Sequence, residues 1–300
     1  MRKEFSTAME KYAAKDKHTI FITGDLGFMA LENVRDAMKE RFINAGVSEQ
    51  NMISLAAGLA SQGLRPVCYS IAPFLVFRPA EQIRLDICLH NMDVKLVGNG
   101  GGYGYGIMGA THHAIEDIAV VSSFQNMRCY IPVSGADVFG AFETMMGMKG
   151  PAYMRLGAGA LPAGVVLPQF APVRRLVKGE KITVAALGPA VLNVLNAVGP
   201  ENNISADIFA VSEIPFEGRC DELLKSISAT GKLLIVEEHV KRGGMGESLA
   251  LMLLEKGISA VARHLHAAGY PGGTYGSQSY HQKMSGLDPE SILQTIKELL

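Results

Sequence analysis

Glu49 stands at the head of segment 49–62, whose body carries Met52, Ile53, Leu55, Ala56, Leu59 and Ala60. A carboxyl group opening an apolar helix has two readings. It is an acid favoured by the positive end of the helix dipole, or a group in apolar surroundings, where loss of water raises its pKa and lets it share a proton with a bound heterocycle. A second set is Pro73-Phe74-Leu75-Val76-Phe77-Arg78-Pro79. Two aromatics and a cation read either as core packing with a surface arginine or as a stacking platform beside an anion-binding arginine. The third is Gly109-Ala110-Thr111-His112-His113. A neutral histidine at such a loop-to-helix junction can shuttle protons, while capping and core hydrogen bonds account equally well for either one alone.

Other groups are less pointed. His264 and His266 share a strand face without a local third metal ligand. Gly243-Gly244-Met245-Gly246 is an anion cradle or simply a tightly packed helix start. Glu237-Glu238, at a strand end, reads as a solvated or interface pair. The six glycines between Gly98 and Gly106 lack the register and the trailing acid of a dinucleotide site, so close backbone approach is the better reading. There is no GxSxG elbow, Walker loop or HExxH.

Such groups must sit on loops beyond the carboxyl ends of strands if they are to meet one ligand. The pattern supplies those loops at 24–29, 44–50, 72–79 and 98–113. A helix carries Phe5, Ala8, Met9, Tyr12 and Ala13, and strands follow at 19–23, 66–71, 94–97, 129–133 and 152–155. Helices at 49–62, 80–91 and 136–148 alternate with them, which predicts an α/β fold with mostly parallel sheets. Glycines and prolines punctuate 157–179, so residues 1–160 form a first domain, 161–178 a linker and 179–300 a smaller second domain. There the expected strands are 182–187, 206–210, 232–236 and 260–264, and Asp288 before Pro289 caps a terminal helix.

Composition narrows the class. Hydrophobic residues make up 48% of the 300, enough for large cores, and the charged fraction of 19% suggests surface given to a partner subunit. A net charge of −1 with pI near 6.7 argues against nucleic-acid binding. The four cysteines form no CxxC motif and read as buried thiols of a reducing compartment. The amino-terminal segment reads as a helix start and not a signal peptide, and no apolar run is long enough to span a membrane. The expectation is a cytoplasmic protein.

Together these pieces resemble a known family. Gly46-x-x-Glu49-Gln50-Asn51-Met52-x-x-Leu55-Ala56-Ala57-Gly58-Leu59-Ala60 is similar to the glutamate helix of transketolases, with related forms in 1-deoxyxylulose-5-phosphate synthases and 2-oxo-acid dehydrogenase beta subunits. Thr23-Gly24-Asp25-Leu26, Phe74-x-x-Phe77, the Thr111-His112 segment, Pro151-Ala152-Tyr153-x-Arg155 and Val236-Glu237-Glu238-His239 fall in the family's order. The resemblance implies a domain that binds the aminopyrimidine of thiamine diphosphate, followed by a transketolase-type C-terminal domain. It implies that Glu49 hydrogen-bonds N1′ of the pyrimidine, that Phe74 and Phe77 pack on the ring, and that Asp25, Leu26 and Gln50 line the cofactor. It also implies that His112 handles substrate protons, with Arg78 and His113 as further substrate contacts.

The resemblance covers half an enzyme. No Gly-Asp-Gly motif for Mg²⁺ and the diphosphate is present, so those are expected on a separate diphosphate-binding subunit in an α₂β₂ assembly. The activity implied is transfer of a two-carbon ketol unit between sugars, the alternative being a 2-oxo-acid decarboxylating component. A scaffold role is disfavoured by Glu49 together with both phenylalanines. Two positions depart from the family: Met108 replaces an acid that reads a sugar hydroxyl, and the upstream histidine falls near Gly100. Both losses predict an unusual donor or acceptor.

Overall fold

The computed structural model describes residues 1–27, 30–199 and 202–300; positions 28 and 29 of the first expected loop lie outside them. Helix α1 (Arg2–Lys15) buries Phe5, Ala8, Met9 and Ala13 as one stripe. Strand β1 (Thr19–Thr23) is buried at every position, as a central parallel strand must be when both sheet faces are covered. Helix α2 (Glu32–Met38), strand β2 (Phe42–Asn44), helix α3 (Glu49–Ser61), strand β3 (Arg65–Ile71) and helix α4 (Ala72–Phe77) follow. Helix α5 (Ala80–Gln82) runs on in wider turns through Ile83–Leu89, and then come strand β4 (Lys95–Asn99), helix α6 (Asp117–Ser122), strand β5 (Arg128–Tyr130), helix α7 (Gly135–Gly147) and strand β6 (Ala152–Leu156).

The second half contains β7 (Val173–Val177), β8 (Ile182–Leu187), helix α8 (Ala190–Ala197), β9 (Ala206–Val211), β10 (Glu213–Ile214), helix α9 (Asp221–Thr230), β11 (Lys232–Glu237), helix α10 (Met245–Glu255), β12 (Val261–His266), helix α11 (Gln278–Met284) and helix α12 (Pro289–Leu299). The first sheet has the order β10-β5-β6-β4-β3-β1-β2 and the second β12-β11-β8-β9-β7. Every pairing is parallel except β10 with β5 and β7 with β9. The expected α/β class with two mostly parallel sheets is what the chain adopts.

In the first sheet the chain passes from β1 to β2 on one side and returns to β3 on the other. The carboxyl ends of β1 and β3 therefore flank a topological switch point, where open α/β sheets form their ligand crevice. Glu49 enters from the β2 side, and Phe74 and Arg78 from the β3 side. Met52, Ile53 and Ala56 of α3 are wholly buried. At about 1.5–3 kcal/mol for each large side chain, such burial fixes the helix that carries Glu49.

The structure departs from the sequence expectations at several points. The expected loop 72–79 is mostly helix α4, because Pro73 sits in its first turn with a helix-compatible φ. The short elements α2 and β2 give no strong periodic signal. Strand β7 lies inside the expected linker 161–178. Within it Arg174 is buried against Asp137, with Nη1 2.8 Å from Oδ1, and Arg175 Nε is 2.9 Å from Asp207 Oδ1. Strand β10, from the second half of the chain, closes an edge of the first sheet. Glu237 is not solvated. Its carboxylate accepts hydrogen bonds from the backbone N–H groups of Met245 and Gly246 at 2.8 and 2.9 Å. The anion cradle before α10 is thus filled from within the chain.

All four cysteines are free and buried, and burial raises the Cys68 and Cys129 thiols above their ordinary range. Among the described residues no helix is long and apolar enough to cross a membrane.

Candidate active site

Glu49 is the first residue of α3 and only 6% exposed. It is not isolated in apolar surroundings, as the sequence suggested. Arg78 Nη1 donates to both of its carboxylate oxygens, at 3.0 and 2.9 Å. The Arg78 guanidinium carbon lies 3.9 Å from the centre of the Phe74 ring. Phe74 in turn meets His112 edge-on, with ring centres 5.1 Å apart. These contacts make a continuous row of side chains, Glu49–Arg78–Phe74–His112.

His112 Nδ1 is 2.9 Å from the Thr111 hydroxyl. Among the described residues Nε2 has no hydrogen-bond partner. Tyr105 stands 5.7 Å from the His112 ring, and the Asn99 side-chain amide donates to its phenol oxygen at 2.9 Å. Neither Asn99 nor Tyr105 stood out in the sequence; the available signal was an aromatic flanked by glycines in the 98–106 loop. A side chain at Gly100 would drive its Cβ into the Tyr105 ring. That close approach explains the glycine where the family's histidine was expected. Asn99, Gly100 and Tyr105, with Met1, Arg2 and Gly157–Gly159, border a cavity of about 300 Å³.

His113 goes elsewhere. It is 1% exposed, and its Nε2 lies 2.7 Å from the Gly106 carbonyl and its Nδ1 3.1 Å from the Tyr270 hydroxyl. A carbonyl only accepts, so Nε2 carries the proton and Nδ1 accepts from Tyr270. Burial lowers its pKa. With Tyr103, Tyr270 and His281 it forms an aromatic contact between the two halves. The expected substrate contact is therefore not in the crevice: both ring nitrogens are spent inside the chain.

The remaining candidates lie on separate loops and helix ends. Asp25 is exposed and accepts from the Asn44 amide at 3.2 Å. Asp25 and Leu26 line a cavity of about 410 Å³ with Thr23, Leu31 and Phe42. Gln50 is exposed, and Phe77 is 38% exposed and makes no ring contact among the described residues. The loop bearing His112 is anchored from behind. Arg155 Nη2 donates to the carbonyls of Ala114 and Glu238 at 2.6 and 2.9 Å, and its Nε lies 3.2 Å from Asp117.

The donor set can be tested against thiamine diphosphate. A buried carboxylate facing an aromatic ring, with a flat group already fitting between them, suits the aminopyrimidine. Among the described residues no three His, Cys, Asp or Glu side chains are grouped to hold a metal ion. The residues present fit the ring end of the cofactor, and the diphosphate end finds no such counterpart.

Comparison with known proteins identifies both halves of the chain. Residues 1–163 match the family described as transketolase, pyrimidine binding domain, and 171–292 match transketolase, C-terminal domain. One of the subunits of the apulose-4-phosphate transketolase of Phocaeicola vulgatus is 28% identical over all of this chain and 97% of its own length. Its namesake from Actinobacillus succinogenes is 32% identical over 85% of this chain and 83% of its own. A split-gene transketolase solved as an inactive β4 tetramer superposes with a TM-score of 0.86 at 27% identity, covering 100% of this chain and 97% of that one. These relatives do not favour the keto-acid alternative. The chain belongs to the transketolase family, a thiamine-diphosphate-dependent family of transferases, and spans its pyrimidine-binding and C-terminal domains.

Proposed function

We propose that this chain is the beta-type subunit of a split transketolase, which moves a two-carbon ketol unit from a ketose donor to an aldose-type acceptor. The observation that carries this reading is Glu49: a carboxylate 6% exposed, at a helix start, facing a flat group stacked on Phe74. Thiamine diphosphate, when bound, supplies a nucleophilic carbon and an electron sink for cleaving a bond next to a carbonyl. The chain's own groups hold and orient. Glu49 would hydrogen-bond the pyrimidine N1′, and Phe74 and Phe77 would pack on the ring. Asp25, Leu26 and Gln50 complete the surround. His112, with Nε2 uncommitted, takes and returns a proton at a substrate hydroxyl. His113 holds the loop.

Mg²⁺ and the diphosphate fall to a separate subunit in an α₂β₂ assembly. Val47, Ile107 and Met108, on the segments that lead into Glu49 and His112, are 76%, 77% and 53% exposed, apolar surface that suits burial under another chain. Free buried thiols suit a reducing compartment, the cytoplasm.

The test is reconstitution with a diphosphate-binding partner, thiamine diphosphate and Mg²⁺, with ketose donors screened against pyruvate. Ketol transfer is expected, and Glu49→Ala should lower its rate by about 10²–10⁴-fold, the range for a lost proton-handling group. Full activity in the folded variant contradicts the assignment.

A further inference from the structure

Arg78 uses both recognition elements of the ring site at once. Its Nη1 bridges the two oxygens of Glu49 at 2.9 and 3.0 Å, and its guanidinium lies over Phe74 with Cζ 3.9 Å from the ring centre. A guanidinium is flat, rich in donors and stacks on aromatic faces. In these respects it imitates the heterocycle for which Glu49 and Phe74 are suited. We propose that Arg78 is an internal occupant of the pyrimidine subsite, which the incoming ring displaces.

Two geometric facts support this. At stacking distance no second flat layer fits between guanidinium and Phe74, so ring and arginine exclude one another. The side chains are also unequally held. That of Glu49 is 6% exposed and that of Arg78 is 46% exposed. The carboxylate stays and the arginine has a path into water. Arg78 follows the last residue of α4, so its departure needs side-chain rotation and leaves the fold unchanged. The displaced guanidinium then stands in water beside the exposed Phe77 that precedes it in the chain. An unaccompanied chain thereby keeps a buried carboxylate neutralised until a ligand that satisfies both Glu49 and Phe74 arrives. The lock also selects: a ligand lacking either a hydrogen-bonding edge or a π-face cannot replace what the arginine provides.

This inference rests on Glu49 and Phe74 forming the ring site, and the experiment separates the two claims. The probe is the free pyrimidine alcohol, 4-amino-5-hydroxymethyl-2-methylpyrimidine, titrated into the full chain and followed by ligand-observed NMR. Arg78→Met keeps an unbranched stem out to the position of Nε and removes the charged fork. It should bind the probe at least about tenfold more tightly than the native chain, about 1.4 kcal/mol in affinity. Glu49→Ala in the Arg78→Met background should abolish that binding. Raising the salt concentration, which screens the Glu49–Arg78 pair, should tighten probe binding to the native chain and leave the Arg78→Met chain unaffected. Circular dichroism checks that each variant is folded, and the salt series tests the claim without any substitution. Equal, weaker or undetectable binding in folded Arg78→Met, or native binding that salt does not strengthen, overturns the displacement claim. Probe binding that survives Glu49→Ala overturns the ring site and the displacement together.

Discussion

His112 and His113 are adjacent, yet their surroundings divide the labour of protons and packing. His112 keeps Nε2 uncommitted beside Phe74 and Tyr105, while His113 has both nitrogens engaged and is 1% exposed. His112→Asn should therefore lower kcat of the reconstituted enzyme by about 10²–10³-fold with an unchanged urea midpoint. His113→Ala should do the reverse, costing about 1–3 kcal/mol by leaving the Gly106 carbonyl and Tyr270 hydroxyl unsatisfied. Kinetics and urea unfolding on both variants check the split; a kinetic loss in His113→Ala alone would exchange the two roles. Spacing could not tell these residues apart, because which of them enters the crevice depends on partners far along the chain. Glu49 was legible as a candidate through its likeness to the family's glutamate helix, since an acid heading an apolar helix also reads as one favoured by the helix dipole. Its pairing with Arg78 was not, since the two are 29 positions apart and only the α4 turn brings them together.

The elements that the sequence announced are those with one strong pattern. The β-branched run of β1 and the apolar body of α3 each say what they are, and both occur where expected. The elements it concealed depend on long-range pairing. Strand β7 hides behind two arginines whose charges are met by Asp137 and Asp207, and β10 is two residues long and exists by pairing with β5. Glu237 belongs to the same class. It caps α10 through two backbone N–H groups and lies 2.7 Å from His264 Nε2, while its own side chain is fully buried. A carboxylate at a helix start gains from both the unpaired N–H groups and the dipole. Gly246 is needed there, since a Cβ would run into the His264 ring. Glu237→Gln keeps the shape and removes the charge. It should lower unfolding stability by about 1–3 kcal/mol, the difference between charged and neutral hydrogen bonding at a buried site. Urea denaturation reads this directly, and a loss below about 0.5 kcal/mol, the scatter of neutral surface changes, would deny the cap its role.

At the scale of the molecule, the two sheets are bound into one body. A single apolar cluster runs from Ile22 and Ile53 through Ile131 to Phe209, Leu223 and Leu233. Polar contacts reinforce it: the Tyr103 N–H donates to Glu238 Oε1 at 2.7 Å, and Ala119 N–H donates to His239 Nε2 at 3.2 Å. Three histidines, His113, His239 and His281, sit at this junction, and burial lowers the pKa of each. Folding therefore favours their neutral forms. Between each lowered folded value and the ordinary value near 6.5, the unfolded chain binds more protons, so stability is full above about pH 6.5 and falls as the pH drops through the folded values. Glu116 and Glu238 act with the opposite sign. Burial raises their pKa, so their contribution is present below the ordinary carboxyl range and is lost as the pH rises through the raised values. The sum is resolved by difference. His239→Gln keeps a neutral donor and acceptor but cannot be protonated, so its urea midpoint should depend less steeply on pH below 6.5 than that of the native chain. The gap is limited to about 1.4 kcal/mol per pH unit for one proton. Parallel midpoint-versus-pH lines for the two proteins would mean that His239 takes no proton on unfolding. Because the histidines lie between the halves, acid should loosen the junction that holds the His112 loop before it melts either sheet, and hydrogen exchange at Ala114 and Val240 should rise earlier on acidification than exchange in β1 or β8.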